Sequence, residues 1–480
     1  MNTEKKSSVS YIDAKADFLA EVSHKIWEFA ELSLKEHRSC EYYVSLLKKE
    51  GFSVEEKLYG IETSFAAKFG SGRPVIGILG EYDALSGLSQ KAAFPEKEAA
   101  VQGAPGHGCG HNMLGAGAFG AALGIKNYLE STKKQGTVIF FGCPGEEGGA
   151  SKALFARDGG WNGLDAALTW HPGDTNEITA GTCNSCIQVI YEFSGVSSHA
   201  AGDPENGRSA LDAAELMNVG VQFLREHMKS DARIHYSILD AGGISPNVVQ
   251  PEAKLLYMIR SPKVKDALAL ENRVDRIAEG AALMTETTVK KIFVDGCSGT
   301  FHNVVLSRLL YENMMEIGAP QYSEDEMKFA GKIRQTYPNT DAIPGIGSLH
   351  SREYAASVKE MLNGADRVMN DFVLPFYSGE HFNAGSTDVG DVSWNTPTAQ
   401  FNAVAWPAEC PGHSWQNVSC GGSSIGDKAV VFAAKVLCAA AIDLLEKPEI
   451  VEAARKEFNE GPATEGYYCP VPEGASLYIV

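Results

Sequence analysis

The chain has 480 residues, too many for one ordinary hydrophobic core, and is expected to divide into two or three domains. Its 44% hydrophobic and 9% aromatic content is that of a globular enzyme and excludes a disordered chain, while a formal net charge of −19 argues against nucleic acid or an anionic membrane as partner. No apolar run is long enough for a transmembrane helix, the polar residues 1–10 lack the apolar core of a signal peptide, and ten scattered cysteines fit a reducing compartment, so a cytoplasmic location is expected.

Apolar spacing predicts helices over 14–35 (Phe18, Leu19, Val22, Ile26, Phe29) and 39–50, then strands over 65–69 and 74–79. Val75-Ile76-Gly77-Ile78-Leu79 is an unbroken apolar run, the pattern of a strand buried on both faces. It ends in Gly80-Glu81-Tyr82-Asp83-Ala84-Leu85, which puts two carboxylates where open α/β sheets keep their sites. A charged strand exit is the alternative. A polar loop, 86–104, then leads into Pro105-Gly106-His107-Gly108-Cys109-Gly110-His111-Asn112. The Ala/Gly/Leu-rich residues 113–129 predict a buried helix with this cluster at its N-terminal mouth. Imidazole and thiolate are ligands that zinc and related divalent ions favour. On its own, the stretch reads equally as a glycine turn holding a buried cysteine and a solvent histidine.

A strand over 137–141 runs into Gly142-Cys143-Pro144-Gly145-Glu146-Glu147-Gly148-Gly149. Adjacent glutamates repel, and one of them tends to rise in pKa. A cation resolves this, with one glutamate as its ligand and the other left to move a proton. A third buried strand, 166–170, ends in His171-Pro172. Three strands delivering candidate ligands to one sheet edge point to a single site.

The pattern changes near Cys186. A strand over 187–193, a helix over 207–228, strands over 233–239 and 254–259, a helix over 265–284 and a strand over 287–294 follow in the order β-α-β-β-α-β. That is the ferredoxin-like motif, and its edge strands and helix faces offer a surface for self-association. The module carries His199, Asn247, Arg208 and Arg260. Cys183 and Cys186, at a strand start, read as small strand residues rather than a redox pair. Beyond 301 come a helix over 306–317, a polar excursion over 321–351 and a weakly periodic helix over 361–372. A strand near 398–405 leads to Gly412-His413, and a long helix over 428–445 follows. The fold class is therefore α/β. A catalytic α/β/α domain with a mixed sheet takes residues 1–187 and 301–480, and an inserted ferredoxin-like lid or dimerisation domain takes 188–300.

Six motifs in order carry a family resemblance: Gly80 to Leu85, Gly106 to His111, Gly142 to Gly149, Thr169-Trp170-His171-Pro172-Gly173-Asp174, Gly242 to Gln250, and Ser386-Thr387-Asp388-Val389-Gly390-Asp391-Val392-Ser393-Trp394. Together they resemble the dinuclear metallopeptidase and aminoacylase superfamily that includes carboxypeptidase G and succinyl-diaminopimelate desuccinylase. Cys109-Gly110-His111, in place of an aspartate-containing motif, is similar to the amidohydrolase branch that also holds auxin-conjugate hydrolases. Within that branch the chain looks most like the p-aminobenzoyl-glutamate hydrolases.

The resemblance implies two divalent metal ions per subunit, manganese or zinc, held by Cys109, His111, Glu147, His171 and His413. Cys109 would bridge them as thiolate. Glu146 would take a proton from the attacking water and hand it to the leaving amine. His199 would stabilise the oxyanion across a dimer interface, and Asn247 and Arg260 would grip a substrate carboxylate. Asp83 would orient a ligand imidazole, with Asp388 in a similar supporting place. In one departure, Glu81 stands where the wider superfamily has a histidine ligand, and Cys109 and His111 are read as making up the count. The implied reaction is metal-dependent hydrolysis of a small amide with a free carboxylate, p-aminobenzoyl-glutamate or a related N-acyl amino acid or dipeptide. The implied assembly is a homodimer, or a heterodimer with a homologous subunit. A weakly active or structural subunit of a hetero-oligomeric hydrolase is the alternative, and the intact Glu146-Glu147 pair speaks against it.

Overall fold

The computed structural model describes residues 1–338, 351–363, 367–379 and 381–478. Contacts divide the chain into two units. The first comprises Met1–Thr182, Phe301–Asn383 and Val392–Tyr467; the second comprises Cys183–Thr300, Ala384–Asp391 and Tyr468–Val480. Two segments that the pattern assigns to the larger domain thus join the inserted one, because their backbones bond there. Asn184 donates its N–H to Gly385 O at 3.0 Å, and Tyr478 donates to Val294 O at 3.1 Å.

In the first unit the sheet is mixed. Strands β1 (Ser53–Glu56), β2 (Phe65–Ser71), β3 (Val75–Gly80), β4 (Gly136–Gly142), β5 (Ala166–Gly173), β6 (Glu177–Ile178) and β11 (Thr398–Val404) lie in the order β1-β2-β4-β3-β5-β11-β6. The central β4, β3, β5 and β11 run parallel, and β1, β2 and β6 pair antiparallel at the margins. Successive residues of β4 show that both faces are covered. Phe140 meets Tyr43 and Phe119, whereas Phe141 meets Trp161 on the other side.

Helices α4 (His111–Thr132) and α13 (Ser424–Glu446) are buried along most of their length. They approach closely because α4 presents glycines: a Cβ on Gly124 would lie 2.7 Å from Cys438 Sγ and 2.8 Å from Ile12 Cδ1.

Three expectations are corrected. The helix over 14–35 is the shorter α2 (Ala16–Phe29), stopped by left-handed Ala30 (φ 43°), and a helix that the spacing does not predict, α1 (Thr3–Ala14), precedes it across Lys15. The mostly polar α1 buries only Lys5, Ser8, Val9 and Ile12, too sparse a stripe to read from periodicity. The polar span 321–351 contains α9 (Glu324–Arg334), started by a Ser323/Glu326 capping box; residues 339–350 lie outside the described ones. The helix over 361–372 is instead α10 (Arg352–Leu362), ended by left-handed Asn363, and 367–372 are not helical. Residues 364–366 lie outside the described ones.

The second unit runs β7 (Ser185–Ser194), α6 (Ala210–Leu224), β8 (Arg233–Asp240), β9 (Glu252–Ser261), α7 (Val264–Thr285) and β10 (Thr288–Cys297). Its four strands form an antiparallel sheet in the order β10-β7-β9-β8. Val189, Tyr191, Leu255 and Tyr257 of the sheet share one core with Met217, Val221, Leu270 and Val274 of the helices. The two edges differ. Tyr478 bonds to β10 and Pro470 lies against Gly296, whereas β8 exposes Tyr236, Ile238 and Leu239. Cys183 and Cys186 are buried, and Cys186 sits in register with Cys297. Among the described residues, no helix is long and apolar enough to cross a membrane.

Candidate metal centre

The parallel strands β3, β4, β5 and β11 bring their carboxyl ends to one edge of the sheet, where α/β folds place ligands. Glu81 and Asp83 follow β3, and Glu146 and Glu147 follow β4. His171 lies within β5 rather than past its end, because β5 continues to Gly173 beside β11. His413 follows β11, and His111 opens α4. The turn into α4 needs glycine twice. Gly110 is left-handed (φ 78°), and a Cβ on Gly106 would sit 2.3 Å from Leu88 O.

Ligand-type atoms gather in three overlapping groups, each within 4.8 Å: Cys109, His111 and His171; Cys109, Glu147 and His413; and Glu81, His111 and Glu146. Cys109 is common to the first two. All five expected metal ligands and the expected base are therefore brought together. Cys109 Sγ lies 3.4 Å from His171 Nε2, and His413 Nε2 lies 3.4 Å from Glu147 Oε1. His413 is held at φ 51°, an uncommon conformation for a side chain of its size.

Asp83 organises this cluster. Its Oδ1 accepts from His111 Nδ1 at 2.7 Å, and its Oδ2 accepts from Ser33 Oγ at 2.8 Å and Glu147 N at 2.9 Å. Burial would raise its pKa, but the His111 charge and these bonds outweigh burial and hold it at about 2. His111 therefore keeps a proton on Nδ1 and turns Nε2 to the site. Burial would lower the His111 pKa, but Cys109 and Asp83 raise it well above the ordinary value. His171 donates from Nδ1 to Pro172 O at 2.7 Å, so its Nε2 faces Cys109. Burial and the His111 charge keep His171 neutral, with a pKa of about 4. Burial and Glu147 push the Cys109 thiol up.

The donor set fits a divalent metal. His111 Nε2 and Glu147 Oε1 are buried and make no hydrogen bond, an expensive state unless a ligand satisfies them. Imidazole, thiolate and carboxylate together are the donors of zinc and related ions.

His107 belongs to the same sequence cluster but turns away. Its Nε2 bonds Ile26 O at 3.0 Å, and burial lowers its pKa to about 4. It ties the loop to α2.

Pattern reading passed over Lys152. Its ammonium is fully buried 2.6 Å from Glu81 Oε1, and Glu81 Oε2 lies 3.3 Å from His111 Nε2. Burial would raise the Glu81 pKa, but Lys152 and His111 outweigh it and lower the value. A lone lysine among Ala153, Leu154, Phe155 and Ala156 was the available signal.

The remaining predicted residues lie in the second unit. The loops bearing His199 and Asn247 are zipped together, with Ala200 N donating to Asn247 O at 3.0 Å and Val249 N to Ser198 O at 2.9 Å. His199 and Asn247 are both exposed. His199 Nδ1 accepts from Ala201 N at 3.2 Å and Gly202 N at 3.0 Å. Arg260 donates to Ser386 Oγ at 3.2 Å and contacts Met258 Sδ at 3.0 Å. Asp388 is buried, with its backbone O accepting from Asp391 N at 3.1 Å.

Residues 77–370 match the model of Peptidase family M20/M25/M40. The chain is 40% identical over 469 residues to the B-type component of the p-aminobenzoyl-glutamate hydrolase of Escherichia coli (strain K12), covering 97% of each. It is 27% identical to the Xaa-Arg dipeptidase of Mus musculus, covering 95% of this chain and 92% of that one. The fold is shared with the Bacillus subtilis YXEP protein, a dinuclear metal binding peptidase, at a TM-score of 0.55 and 17% identity over 90% of this chain and 99% of that one. With the family match and near full-length identity to an amide-cleaving relative behind it, this chain belongs to peptidase family M20/M25/M40 and is an amide-cleaving hydrolase.

Proposed function

We propose that the protein hydrolyses the amide bond of p-aminobenzoyl-glutamate or a related N-acyl amino acid or dipeptide. The observation that carries this reading is the gathering of Cys109, His111, Glu147, His171 and His413 around one sheet edge with Glu146 among them. The substrate follows the relative at 40% identity, whose name states that activity. Two divalent ions, manganese or zinc, would be held by those five residues, of which Cys109 belongs to two of the three groups. When bound, the ions polarise the amide carbonyl and acidify the attacking water.

The chain's own residues do the rest. Glu146 takes the proton from the water and returns it to the leaving amine. Asp83 and Pro172 O hold the rings of His111 and His171 with Nε2 toward the site. His199 stabilises the developing oxyanion from a neighbouring subunit, while Asn247 and Arg260 grip the substrate carboxylate. Asp388 supports the site from the ferredoxin-like unit, which serves as lid and dimerisation domain. The open β8 edge, opposite a β10 edge covered by the tail, favours β8 as the pairing surface. The partner is a second copy or a homologous subunit, and the setting is cytoplasmic.

The test is release of glutamate from p-aminobenzoyl-glutamate by the purified chain alone, before and after chelation, beside Glu146→Gln. Metal-dependent turnover, reduced at least ~10²-fold in Glu146→Gln with metal retained, is the expected result. An inert, metal-loaded wild-type chain sinks the reading in favour of a structural subunit.

A further inference from the structure

We propose that the connection between α2 and α3 (His37–Lys49), acting through Glu36, positions the Glu146-Glu147 pair for catalysis; this rests on the reading of Glu146 as the base. The backbone around Glu146 is held from both sides. The N–H of the residue before it, Gly145, donates to Glu36 Oε1 at 2.8 Å. The N–H of the residue after it, Glu147, donates to Asp83 Oδ2 at 2.9 Å. Two buried carboxyl groups, from distant parts of the chain, thus clamp the peptide on either side of the base.

Glu36 is itself fixed. Its Oε1 also accepts from Leu34 N at 2.9 Å, and its Oε2 accepts from Thr63 Oγ1 at 2.9 Å. It is fully buried, a place a carboxyl group occupies at a cost unless its oxygens are used. The rest of the connection reaches the same loops. Glu31 O accepts from Ala84 N at 2.8 Å, and Ser33 Oγ donates to Asp83 Oδ2 at 2.8 Å. Leu34 stands at φ 61°, unusual for a branched side chain. In that conformation it packs on both glycine ends of the Glu146 loop: a Cβ on Gly145 would lie 2.8 Å from Leu34 Cδ2, and one on Gly149 2.9 Å from Leu34 Cδ1. Backbone held off its favoured region persists only where surrounding contacts over-determine it, and such places gather at functional sites. The connection is itself anchored beyond the site, because the Glu31 carboxylate caps α3 through Arg38 N at 3.0 Å and Ser39 N at 2.9 Å.

The side-chain oxygens of Glu36 bond Leu34 N, Gly145 N and Thr63 Oγ1, none of them a ligand atom. Glu36 is a positioning residue, and the geometry assigns its effect to the placement of Glu146 rather than to substrate binding. Gln is the informative replacement. Its carbonyl oxygen can keep the Leu34 and Gly145 bonds, while its NH2 group donates to the Thr63 hydroxyl, which turns to accept.

The experiment compares wild type, Glu36→Ala, Glu36→Gln and Thr63→Val in steady-state turnover of p-aminobenzoyl-glutamate. It also follows amide hydrogen exchange over 143–149. Glu36→Ala is expected to lower kcat by ~10²-fold with KM within about twofold, the scale of a misplaced catalytic group, and to lose protection at Gly145. Glu36→Gln should restore both. Thr63→Val, which frees one Glu36 oxygen, should fall between and serves if Glu36→Ala does not fold. Unchanged kcat per folded site in Glu36→Ala, or in Thr63→Val where the alanine chain is unfolded, overturns the proposal. So does a KM effect without a kcat effect, or a Glu36→Gln chain as slow as Glu36→Ala while Gly145 stays protected. If the wild-type chain does not turn over this amide, the functional reading fails, and exchange at Gly145 still decides whether Glu36 holds the loop.

Discussion

Replacing Asp83 with asparagine isolates the role of one charge while keeping the shape of the side chain. In the wild type one carboxylate oxygen serves His111 Nδ1 at 2.7 Å, and the other serves Ser33 Oγ and Glu147 N at 2.8 and 2.9 Å. All three partners act as donors, and an amide offers only one acceptor oxygen. The favoured rotamer keeps the oxygen toward Ser33 and Glu147 and turns the NH2 group to His111. His111 must then accept at Nδ1 and carry its proton on Nε2, which blocks the nitrogen that faces the metal groups. Forcing the metal-binding tautomer sets donor against donor and forfeits a charge-assisted bond worth about 1.5–3 kcal/mol. At about 1.4 kcal/mol per decade, that is a ~10- to 150-fold loss of metal affinity. Competition against a chromophoric zinc chelator measures it. Ser33→Ala, which removes a hydroxyl bond to the same charged carboxylate but leaves the His111 tautomer as it is, should lose less than Asp83→Asn. A folded Asp83→Asn chain that binds zinc within about threefold of wild type would refute the tautomer argument.

Three further outcomes follow from the site. His111→Ala and His171→Ala should each lose bound metal by elemental analysis, and unchanged stoichiometry in both would sink the ligand assignment. Lys152→Met leaves Glu81 buried without its cation and should destabilise the fold by about 3–5 kcal/mol in urea titration, with the double variant Glu81→Gln/Lys152→Met recovering most of it; a single-variant cost under about 1 kcal/mol contradicts the pairing at 2.6 Å. Mixing inactive His199→Ala and Glu146→Gln chains should restore about a quarter of the wild-type rate if His199 acts across a two-fold dimer, since half the dimers are then mixed and each has one intact site. No recovery after confirmed subunit exchange means that His199 acts within its own chain or not at all.

The site was legible where chemistry forced unusual residues onto strand ends. Glu81, Asp83, Glu146, Glu147 and His171 stand against apolar runs, and spacing alone placed them at one edge. What escaped were residues whose roles are set by distant neighbours. Glu36 looks like any exposed residue ahead of a helix, and only the fold brings Gly145 to it. Lys152 sits in a short helix whose apolar neighbours hide its partner across the sheet edge. Local signals failed similarly at α1, whose buried stripe is thin, and at α9, whose Ser323-x-x-Glu326 cap was present but lay in a stretch read as polar.

The order of strands in the first unit also governs how the chain can assemble as it is made. β11 lies between β5 and β6, yet it arrives more than two hundred residues after them. Until Thr398–Val404 leaves the ribosome, β5 keeps an unpaired, apolar edge in the middle of what becomes the sheet. The four-stranded sheet of the second unit faces no such wait, because all its strands and both its helices lie within Cys183–Thr300, and only the short segments 384–391 and 468–480 join that unit later. Synthesis at about 5–20 residues per second therefore gives the inserted unit a head start of many seconds over the one that surrounds it. The first unit is thus the later of the two to complete its sheet, and the growing chain is most prone to wrong edge pairing while β5 is bare.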